Sequence, residues 1–327
     1  LSAEAPRLRE AGRAELRVVA LANSRQMVLA DPVESPVARA QALVSGDEPG
    51  IPLELEVVAE QLAAAADRRG GIPVLVDATA SEVPVEHYAR WLAAGIHVVT
   101  PNKRGGAGPL VRRQALAQAA REGGSQWRYE ATVGAGLPVI VSLQDLLATG
   151  DVLLGVEGVL SGSLAWLLHA LEEGMPGEEA LRKAGALGYL EPDPRDDLSG
   201  MDVARKLVIL AREGGASLEV EDVEVESLVP PELRALGTAD FLARLPEAAE
   251  ALEARVRSAV NQARMQGAGP GPWPDGAGKV EPGWGSWPSP PTTPWPTWAP
   301  PETPSPSPPG ATPSPPSPSR VPAPAPR

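Results

Sequence analysis

The sequence predicts an α/β protein with two α/β domains and a disordered, proline-rich tail. Short β-branched runs alternate with amphipathic helical patterns over residues 15–131, and further helical patterns follow over 160–213. From Gly267 onward the chain is almost entirely Pro, Ser, Gly, Thr, Ala and Trp. Such a composition buries too little apolar surface to offset chain entropy. We therefore expect residues 267–327 to be disordered with polyproline II character.

Four β-branched runs in the first part of the chain are typical of buried parallel strands. They are ELRVVALA at 15–22, IPVLVDAT at 72–79, IHVVTPN at 96–102 and WRYEATV at 127–133. Helical patterns lie between them, at about 53–69, 84–94 and 107–122. Strands that alternate with helices favour a doubly wound, Rossmann-like dinucleotide-binding domain. Ligands of such sheets bind where the strands end, at DAT (77–79) and TPNK (100–103).

The glycine-rich loop that usually opens such a domain is missing from this sequence. A first strand followed by G-x-G-x-x-G brings the backbone close to a pyrophosphate at a helix N-terminus. The nearest pattern is GAGLPV at 134–139, which has Val139 in place of the third glycine and follows the fourth strand. We therefore expect residues 1–134 to form an NAD(P)-binding domain without its first strand and glycine-rich loop. The chain is then expected to be a fragment.

Residues 135–266 predict a second, catalytic α/β domain. The pattern over 151–175 indicates a strand, a turn at 161–163 and a helix, and a second helix with Gly188 near its end follows. A further helix over about 200–213 is apolar on nearly every side, which is typical of a buried helix. Asp202 and Lys206 lie one turn apart on it.

Two explanations compete for the Asp202–Lys206 pair. An exposed helix pair would contribute only a few tenths of a kcal/mol. A lysine in a partly buried cleft can instead have its proton affinity tuned for acid–base work, which suits the apolar surroundings better. The acids Glu191, Asp193, Asp196 and Asp197 precede this helix in a loop with two prolines. They are either partners of the helix dipole or part of a site.

Composition limits the classes of partner. The charges of residues 267–327 cancel, so the formal net charge of −13 falls on residues 1–266 and argues against nucleic acid. The chain has no cysteine, which excludes disulfides and thiol chemistry. It has no apolar run of about 20 residues and no apolar leader, so we expect a cytoplasmic protein. His87, His97 and His169 show no metal-binding spacing.

Six motifs carry a family resemblance. In order they are LANSR (21–25), VDATAS (76–81), HVVTPNKR (97–104), YEATVGAGLPVI (129–140), LSGSLAWLL (160–168) and EPDPRDDLSGMDVARK (191–206). Their order and spacing over roughly residues 7–265 resemble homoserine dehydrogenase, closest to the dehydrogenase half of bifunctional aspartokinase/homoserine dehydrogenases. If the source is a photosynthetic eukaryote, a plastid location is the alternative to the cytoplasm.

The resemblance implies NAD(P)-dependent interconversion of L-aspartate 4-semialdehyde and L-homoserine, in threonine, methionine and isoleucine biosynthesis. Lys206 would then donate the proton to the aldehyde oxygen, and Asp202 would orient the substrate. Glu191 and Asp197 would hold the substrate amino group, since an ammonium requires opposite charge. Lys103 would lie between the cofactor and the substrate.

Further site residues follow from the same resemblance. Thr79 and the backbone near Gly188 would contact the NADP or NAD cofactor. The Glu130 side chain would bind a sodium ion together with main-chain carbonyls. Those carbonyls are at Val133, Ala135 and Leu137. We also expect a homo-oligomer, and the charge and apolar pattern described above predict that it binds neither nucleic acid nor membrane.

Two other functions remain open at this point. Without its pyrophosphate loop the chain could be an inactive fragment, because the hydride would no longer be positioned. The proline-rich tail could instead recruit domains that bind polyproline II helices. The central tail has no Arg or Lys beside a P-x-x-P core, however. The abrupt change at about residue 266 favours a misread exon boundary or a frameshift over an evolved extension.

Overall fold

The computed structural model describes residues 4–47, 50–156 and 158–265, with side chains as far as residue 255. The predicted tail at 267–327 lies outside the described residues. The helices are α1 Ala5–Glu10, α2 Pro36–Ser45, α3 Leu55–Arg69, α4 Val83–Ala93, α5 Lys103–Ala107, α6 Leu110–Glu122, α7 Val139–Ala148, α8 Gly162–Glu172, α9 Gly177–Ala186, α10 Pro194–Leu198, α11 Met201–Glu213, α12 Thr238–Ala243 and α13 Leu245–Met265. The strands are β1 Ala20–Ala22, β2 Gln26–Leu29, β3 Ile51–Pro52, β4 Val74–Val76, β5 His97–Val99 and β6 Trp127–Arg128.

The parallel sheet has the order β4-β5-β6. Val74 pairs with His97, and Val98 pairs with Trp127. Helices α4 and α6 lie between successive strands in the chain, as the alternating sequence pattern predicted. The α/β fold class is therefore confirmed, with a parallel, Rossmann-like sheet in the first part of the chain.

The first predicted strand does not join that sheet. Only Ala20–Ala22 of residues 15–22 is a strand, and it pairs antiparallel with Gln26–Leu29, which in turn pairs with β3. The reason is a tight turn at Asn23, whose Oδ1 accepts the N–H groups of Arg25 and Gln26 at 2.8 Å each. An asparagine that binds the backbone two residues on reverses the chain locally.

The other three predicted strands at 72–79, 96–102 and 127–133 are shorter than expected, and the strand predicted after residue 151 is not found among the described residues. The run at 127–133 is a strand only at β6, after which Glu130–Thr132 form a 3₁₀ turn. None of the described residues between 151 and 160 is in a strand. A strand needs the backbone of a neighbour to pair with. Neither of the described sheets supplies one there.

The first core lies between the parallel sheet and the helices beside it. Helix α4 buries Val85, Tyr88, Trp91 and Leu92. These positions recur at helical spacing and therefore share one face. Against that face pack buried residues of β5 and α6 and their flanks, namely Ile96, Val98, Leu116 and Ala119.

A second core forms among the helices of the later part of the chain. Its fully buried members come from α8, α9, α10, α12, α13 and the 3₁₀ turn Pro231–Leu233; they include Leu167, Leu181, Leu198, Leu233, Phe241 and Leu252. Helix α11 contributes Ile209 and Leu210 to a third cluster, together with Ala107, Tyr129 and Ile140 from the first part of the chain and from α7. Helix α11 thus packs against both parts of the protein.

Of the helices described here, none is both long and apolar enough to cross a membrane.

Candidate active site

Helix α11 presents Asp202 and Lys206 one turn apart. The Lys206 Nζ lies 2.7 Å from Oδ2 of Asp202, and it also donates to the carbonyl of Leu160 at 2.6 Å. The Lys206 side chain is only 15% exposed. An exposed surface pair would not be held by a carbonyl from another segment, so the structure favours the cleft over the surface explanation.

A second lysine reaches the same carboxylate from the first part of the chain. The Lys103 Nζ lies 3.1 Å from Oδ1 of Asp202. Burial by itself raises the pKa of Asp202, but the hydrogen bond from Lys206 and the charge of Lys103 outweigh it, and the pKa is lowered. Asp202 is therefore an ionised carboxylate between two ammonium groups. The three side chains together carry an excess positive charge, which would stabilise an oxygen that becomes negative.

A buried network at the carboxyl ends of β4 and β5 holds Lys103 in place. Asp77 accepts hydrogen bonds from the Tyr88 hydroxyl and from the Asn102 amide, the latter at 3.1 Å. The Thr100 hydroxyl donates to the Asp77 carbonyl at 2.8 Å, and the Asn102 amide also donates to the Ser81 carbonyl at 2.8 Å. Burial, followed by the bond to Asp77, raises the pKa of Tyr88, so its hydroxyl stays a donor.

The predicted cofactor residues lie on two separate segments. The Thr79 N–H donates to Oδ1 of Asp77 at 2.8 Å, which places Thr79 at the same sheet edge as Lys103. Its side chain is exposed. Gly188 follows α9 with a φ of +71°, and a Cβ there would meet none of the described atoms within 4 Å. Both positions are therefore open to a ligand.

The predicted substrate residues are joined through Asp197. Its Oδ1 accepts the Ser163 hydroxyl at 2.8 Å, and its Oδ2 accepts the Glu191 N–H at 2.8 Å. The Glu191 residue is exposed. Leu160, three residues before Ser163, supplies the carbonyl that Lys206 binds. Leu160 and the first turn of α8, which begins one residue earlier than the end of the predicted turn at 161–163, therefore touch both the lysine and the acidic side of the site.

The acidic segment itself differs from the predicted loop. Residues Pro194–Leu198 form the short helix α10, because Asp193 accepts the Arg195 N–H as its N-cap and a proline follows at the first helical position. The Asp193 carboxylate also binds the Arg195 guanidinium at 2.9 Å and the Thr238 hydroxyl at 2.8 Å. Asp193 thus fixes the segment, whereas Asp196 is exposed.

Asp193→Asn is expected to weaken the fold in a pH-dependent way. The hydrogen bond from Arg195 keeps the pKa of Asp193 well below its usual range. A lowered pKa stabilises the folded state above the unfolded pKa of about 4, and that stabilisation is lost as the pH falls through the folded value. Urea unfolding should show a wild-type advantage of about 1–3 kcal/mol at pH 7 that shrinks below pH 4.

The control for this variant is Asp196→Asn on the same short helix, which is expected to change the free energy of unfolding by less than about 0.5 kcal/mol. A gap between wild type and Asp193→Asn that stays constant from pH 7 to pH 3 would contradict the assigned ion pair.

The predicted cation loop also has a structural role. The Glu130 carboxylate accepts the N–H groups of Ile140 and Val141 at 2.8 and 2.9 Å, and so caps the start of α7. The Leu137 carbonyl accepts the Val139 N–H at 2.9 Å. In the part of the chain that the structure describes, no three His, Asp or Glu side chains are grouped to bind a metal.

Sequence reasoning missed several residues that position the site. Asn102 lies inside the motif TPNK, and its place directly after a strand was the available signal. Ser163 lies inside the predicted turn, where a hydroxyl could have been suspected of binding a carboxylate. Nothing in the sequence indicated that Tyr88 positions the site, because a tyrosine in an amphipathic helical pattern is equally typical of an ordinary core residue.

Two family descriptions match this chain. "Homoserine dehydrogenase, NAD binding domain" matches residues 4–130, and "Homoserine dehydrogenase" matches residues 138–274. The chain belongs to the homoserine dehydrogenase family. The resemblance seen in the sequence motifs is thereby confirmed. The predicted division into domains at residue 134 falls between the two matched ranges, but its exact position stays a prediction.

Individual relatives agree with this family. A chloroplastic bifunctional aspartokinase/homoserine dehydrogenase of Daucus carota is 42% identical over 245 residues, which are 73% of this chain and 26% of that protein. A homoserine dehydrogenase of Emericella nidulans is 40% identical over 244 residues, 71% of this chain and 66% of that one. The present chain thus spans about a quarter of the length of the carrot protein.

A solved structure shows the same likeness in three dimensions. It is a hyperthermophilic archaeal homoserine dehydrogenase mutant in complex with NADPH, 26% identical, with a TM-score of 0.55. The alignment covers 73% of this chain and 72% of the archaeal one. The fold described above is therefore shared with a member of the family that binds a nicotinamide cofactor.

Proposed function

We propose that this chain interconverts L-aspartate 4-semialdehyde and L-homoserine with NADP or NAD. The observation that carries the proposal is the Asp202 carboxylate held between Lys103 and Lys206, where the two family regions meet. The two alternatives weighed from the sequence, an inactive fragment and an interaction protein, find no support among the family matches and relatives.

Lys206 is the proton donor in this proposal. A bound nicotinamide would exchange a hydride with the carbon of the substrate. An ammonium group has three N–H donors, and two of those on Lys206 are taken by Asp202 and the Leu160 carbonyl. The third is left to donate its proton to the aldehyde oxygen as that oxygen gains charge, which leaves Lys206 as a neutral amine. In the opposite direction the neutral amine takes the proton from the alcohol as the hydride leaves for the nicotinamide. Lys103 adds a second positive charge at the same place.

Asp197 and Glu191 hold the ammonium end of the substrate in this proposal. Asp197 keeps acceptor capacity, because a carboxylate has about four lone-pair sites and two are used by Ser163 and the Glu191 backbone. The Glu191 side chain is exposed and acidic. A carboxylate with free acceptor sites, bonded to the backbone of a second acidic residue, favours a cation over a neutral ligand.

The residues at the sheet edge fit part of a nicotinamide cofactor. Thr79 is exposed where β4 ends, at the same sheet edge as Lys103, and Gly188 adjoins open space. The pyrophosphate lacks its usual G-x-G-x-x-G partner in this sequence. We therefore assign Thr79, Lys103 and Gly188 to the cofactor, without deciding between NADP and NAD.

A sodium ion is the second group we assign. Glu130 and the carbonyls of Val133, Ala135 and Leu137 offer only oxygen ligands, which suit a hard cation. The Glu130 oxygens each keep a second lone pair beyond their bonds to α7.

Turnover is expected to fall when sodium chloride is replaced by choline chloride at equal ionic strength, and to return on titration with sodium. Equal turnover in the two salts would remove the sodium assignment.

The compartment and the assembly state belong to the same proposal. The carrot relative is a chloroplastic protein, whereas the name of the fungal one gives no compartment. We keep a cytoplasmic homo-oligomer, or a plastid one in a photosynthetic source, as the expectation. Analytical ultracentrifugation of the purified chain measures the assembly state directly.

The test of the function is homoserine-dependent reduction of NADP and of NAD by the purified 327-residue chain, followed by absorbance of the reduced nicotinamide. L-Serine, shorter by one methylene, is the matched control substrate and should react far more slowly. Reduction that is equally fast with L-serine would contradict the assigned substrate. Calorimetry with NADPH should show binding, and a chain that neither binds NADPH nor turns over homoserine would refute the proposal.

A further inference from the structure

The carboxyl-terminal end of α11 holds a buried arginine that the proposed chemistry does not use. The side chain of Arg212 is 0% exposed. Its Nε donates to the Leu218 carbonyl at 2.8 Å, and its Nη1 donates to the carbonyls of Gly106 and Gly108 at 2.7 and 2.6 Å. Its Nη2 donates to Oε2 of Glu219 at 2.8 Å. Four oxygen acceptors therefore bind one guanidinium. Its five N–H donors, fixed in one plane, are enough to serve all four.

Two of these acceptors belong to the end of α5. The carbonyls at the end of a helix have no partners inside it, and a positive charge there is favourable. Arg212 supplies both the donors and the charge to Gly106 and Gly108. Glu219 extends the connection, because its carboxylate also accepts the Leu110 N–H at the start of α6, at 2.9 and 3.1 Å. Arg212 and Glu219 thus tie both helices to α11.

Glycines allow α5 to approach α11 closely. A Cβ at Gly106 would lie 3.1 Å from Cγ1 of Ile209 on α11, and a Cβ at Gly105 would lie 2.9 Å from the Trp127 ring of β6. The other end of α5 is held by Asn102, whose Oδ1 accepts the Arg104 N–H at 3.1 Å. Helix α5 is therefore fixed at both ends and wedged between the sheet and α11.

We infer that Arg212 is a positioning residue: it holds the end of α5 against α11 so that Lys103, the first residue of α5, stays within ion-pair distance of Asp202. The inference rests on the proposed function, in which Lys103 and Asp202 form part of the active site. Helix α5 has five residues and a length of about 7 Å. A displacement of one end of so short a helix is passed on to the other end.

The test compares Arg212→Lys with Arg205→Lys, an exposed arginine on the same helix. Lysine keeps the charge but cannot bind four acceptors in the geometry of the fork. Arg212→Lys is expected to lower kcat for homoserine oxidation by about 10- to 100-fold, since small misplacements of reacting groups have effects of this size. Arg205→Lys should leave kcat unchanged. Glu219→Gln is the milder second variant, should Arg212→Lys not fold.

The Lys103→Ala background separates positioning from a general loss of structure. If Arg212 acts through Lys103, Arg212→Lys lowers kcat no further once Lys103 is alanine. An equal loss of kcat in both backgrounds would overturn the inference.

A second readout does not depend on turnover. The charge of Lys103 contributes to the lowered pKa of Asp202, and Lys206 is the other cation that faces this carboxylate. Carboxyl ¹³C NMR should show the pKa of Asp202 rising in Arg212→Lys and in Lys103→Ala, and rising no further in the double variant. An unchanged pKa in Arg212→Lys would refute the positioning role. A raised pKa in a chain without any turnover would count against the proposed function alone.

Discussion

Lys206→Met is expected to lower homoserine-dependent turnover by about 10²–10⁴-fold, the usual contribution of a positioned acid–base group. Methionine keeps much of the length of the side chain but has no proton to give. The fold should be retained, because Asp202 keeps Lys103 as its partner at 3.1 Å and the rest of α11 is held by apolar packing. Steady-state kinetics and circular dichroism of the same preparation measure both parts of the prediction.

Two further variants sharpen this experiment. Lys183→Met makes the same substitution at an exposed position on α9 and should leave kcat unchanged. Lys206→Arg keeps the positive charge, but an arginine side chain does not give up its proton, so turnover should remain low. A Lys206→Met protein that retains more than about a tenth of wild-type kcat would show that another group supplies the proton.

Phe241→Ala is expected to destabilise the fold by about 3–5 kcal/mol, the range measured when a buried aromatic ring is removed. The Phe241 side chain is completely buried in the second core, at 0% exposure. The guanidinium of Arg195 also lies 5.2 Å from the centroid of its ring. Removing the ring leaves a cavity, and it also takes away one contact of the ion pair that fixes the start of α10.

The control for this substitution is the next residue along the chain. Leu242 is 43% exposed, so Leu242→Ala should cost less than about 1 kcal/mol in urea unfolding. Similar losses for the two variants would mean that Phe241 does not belong to a well-packed core.

We also expect a raised KM for homoserine in Phe241→Ala, since α10 carries Asp197.

The sequence predicted the helices of the first core closely. Helix α3 spans Leu55–Arg69, and the predicted range was about 53–69; it ends at Gly70, which takes the left-handed conformation that closes a helix. Helix α4 was predicted equally well. A helix depends on neighbouring residues and on the spacing of its apolar side chains, so the signal lies within each segment.

Strands were predicted less well, because a strand requires a partner elsewhere in the chain. The run at 15–22 has the composition of a parallel strand, yet the bonds of Asn23 turn the chain into an antiparallel hairpin. Those bonds involve Asn23, Arg25 and Gln26, which all follow the run. The hydrophobicity of the run therefore did not indicate the turn. The residues at 151–160 show the same limitation.

For the site, the sequence by itself determined which groups share one helix. Asp202 and Lys206 lie four residues apart, and helical periodicity alone places them side by side. The tertiary structure decided which distant groups join them: Lys103 reaches Asp202, and Arg212 binds carbonyls more than 100 residues earlier in the chain. Contacts of that kind follow from how helices and sheets pack, and a single sequence does not encode packing in any local pattern.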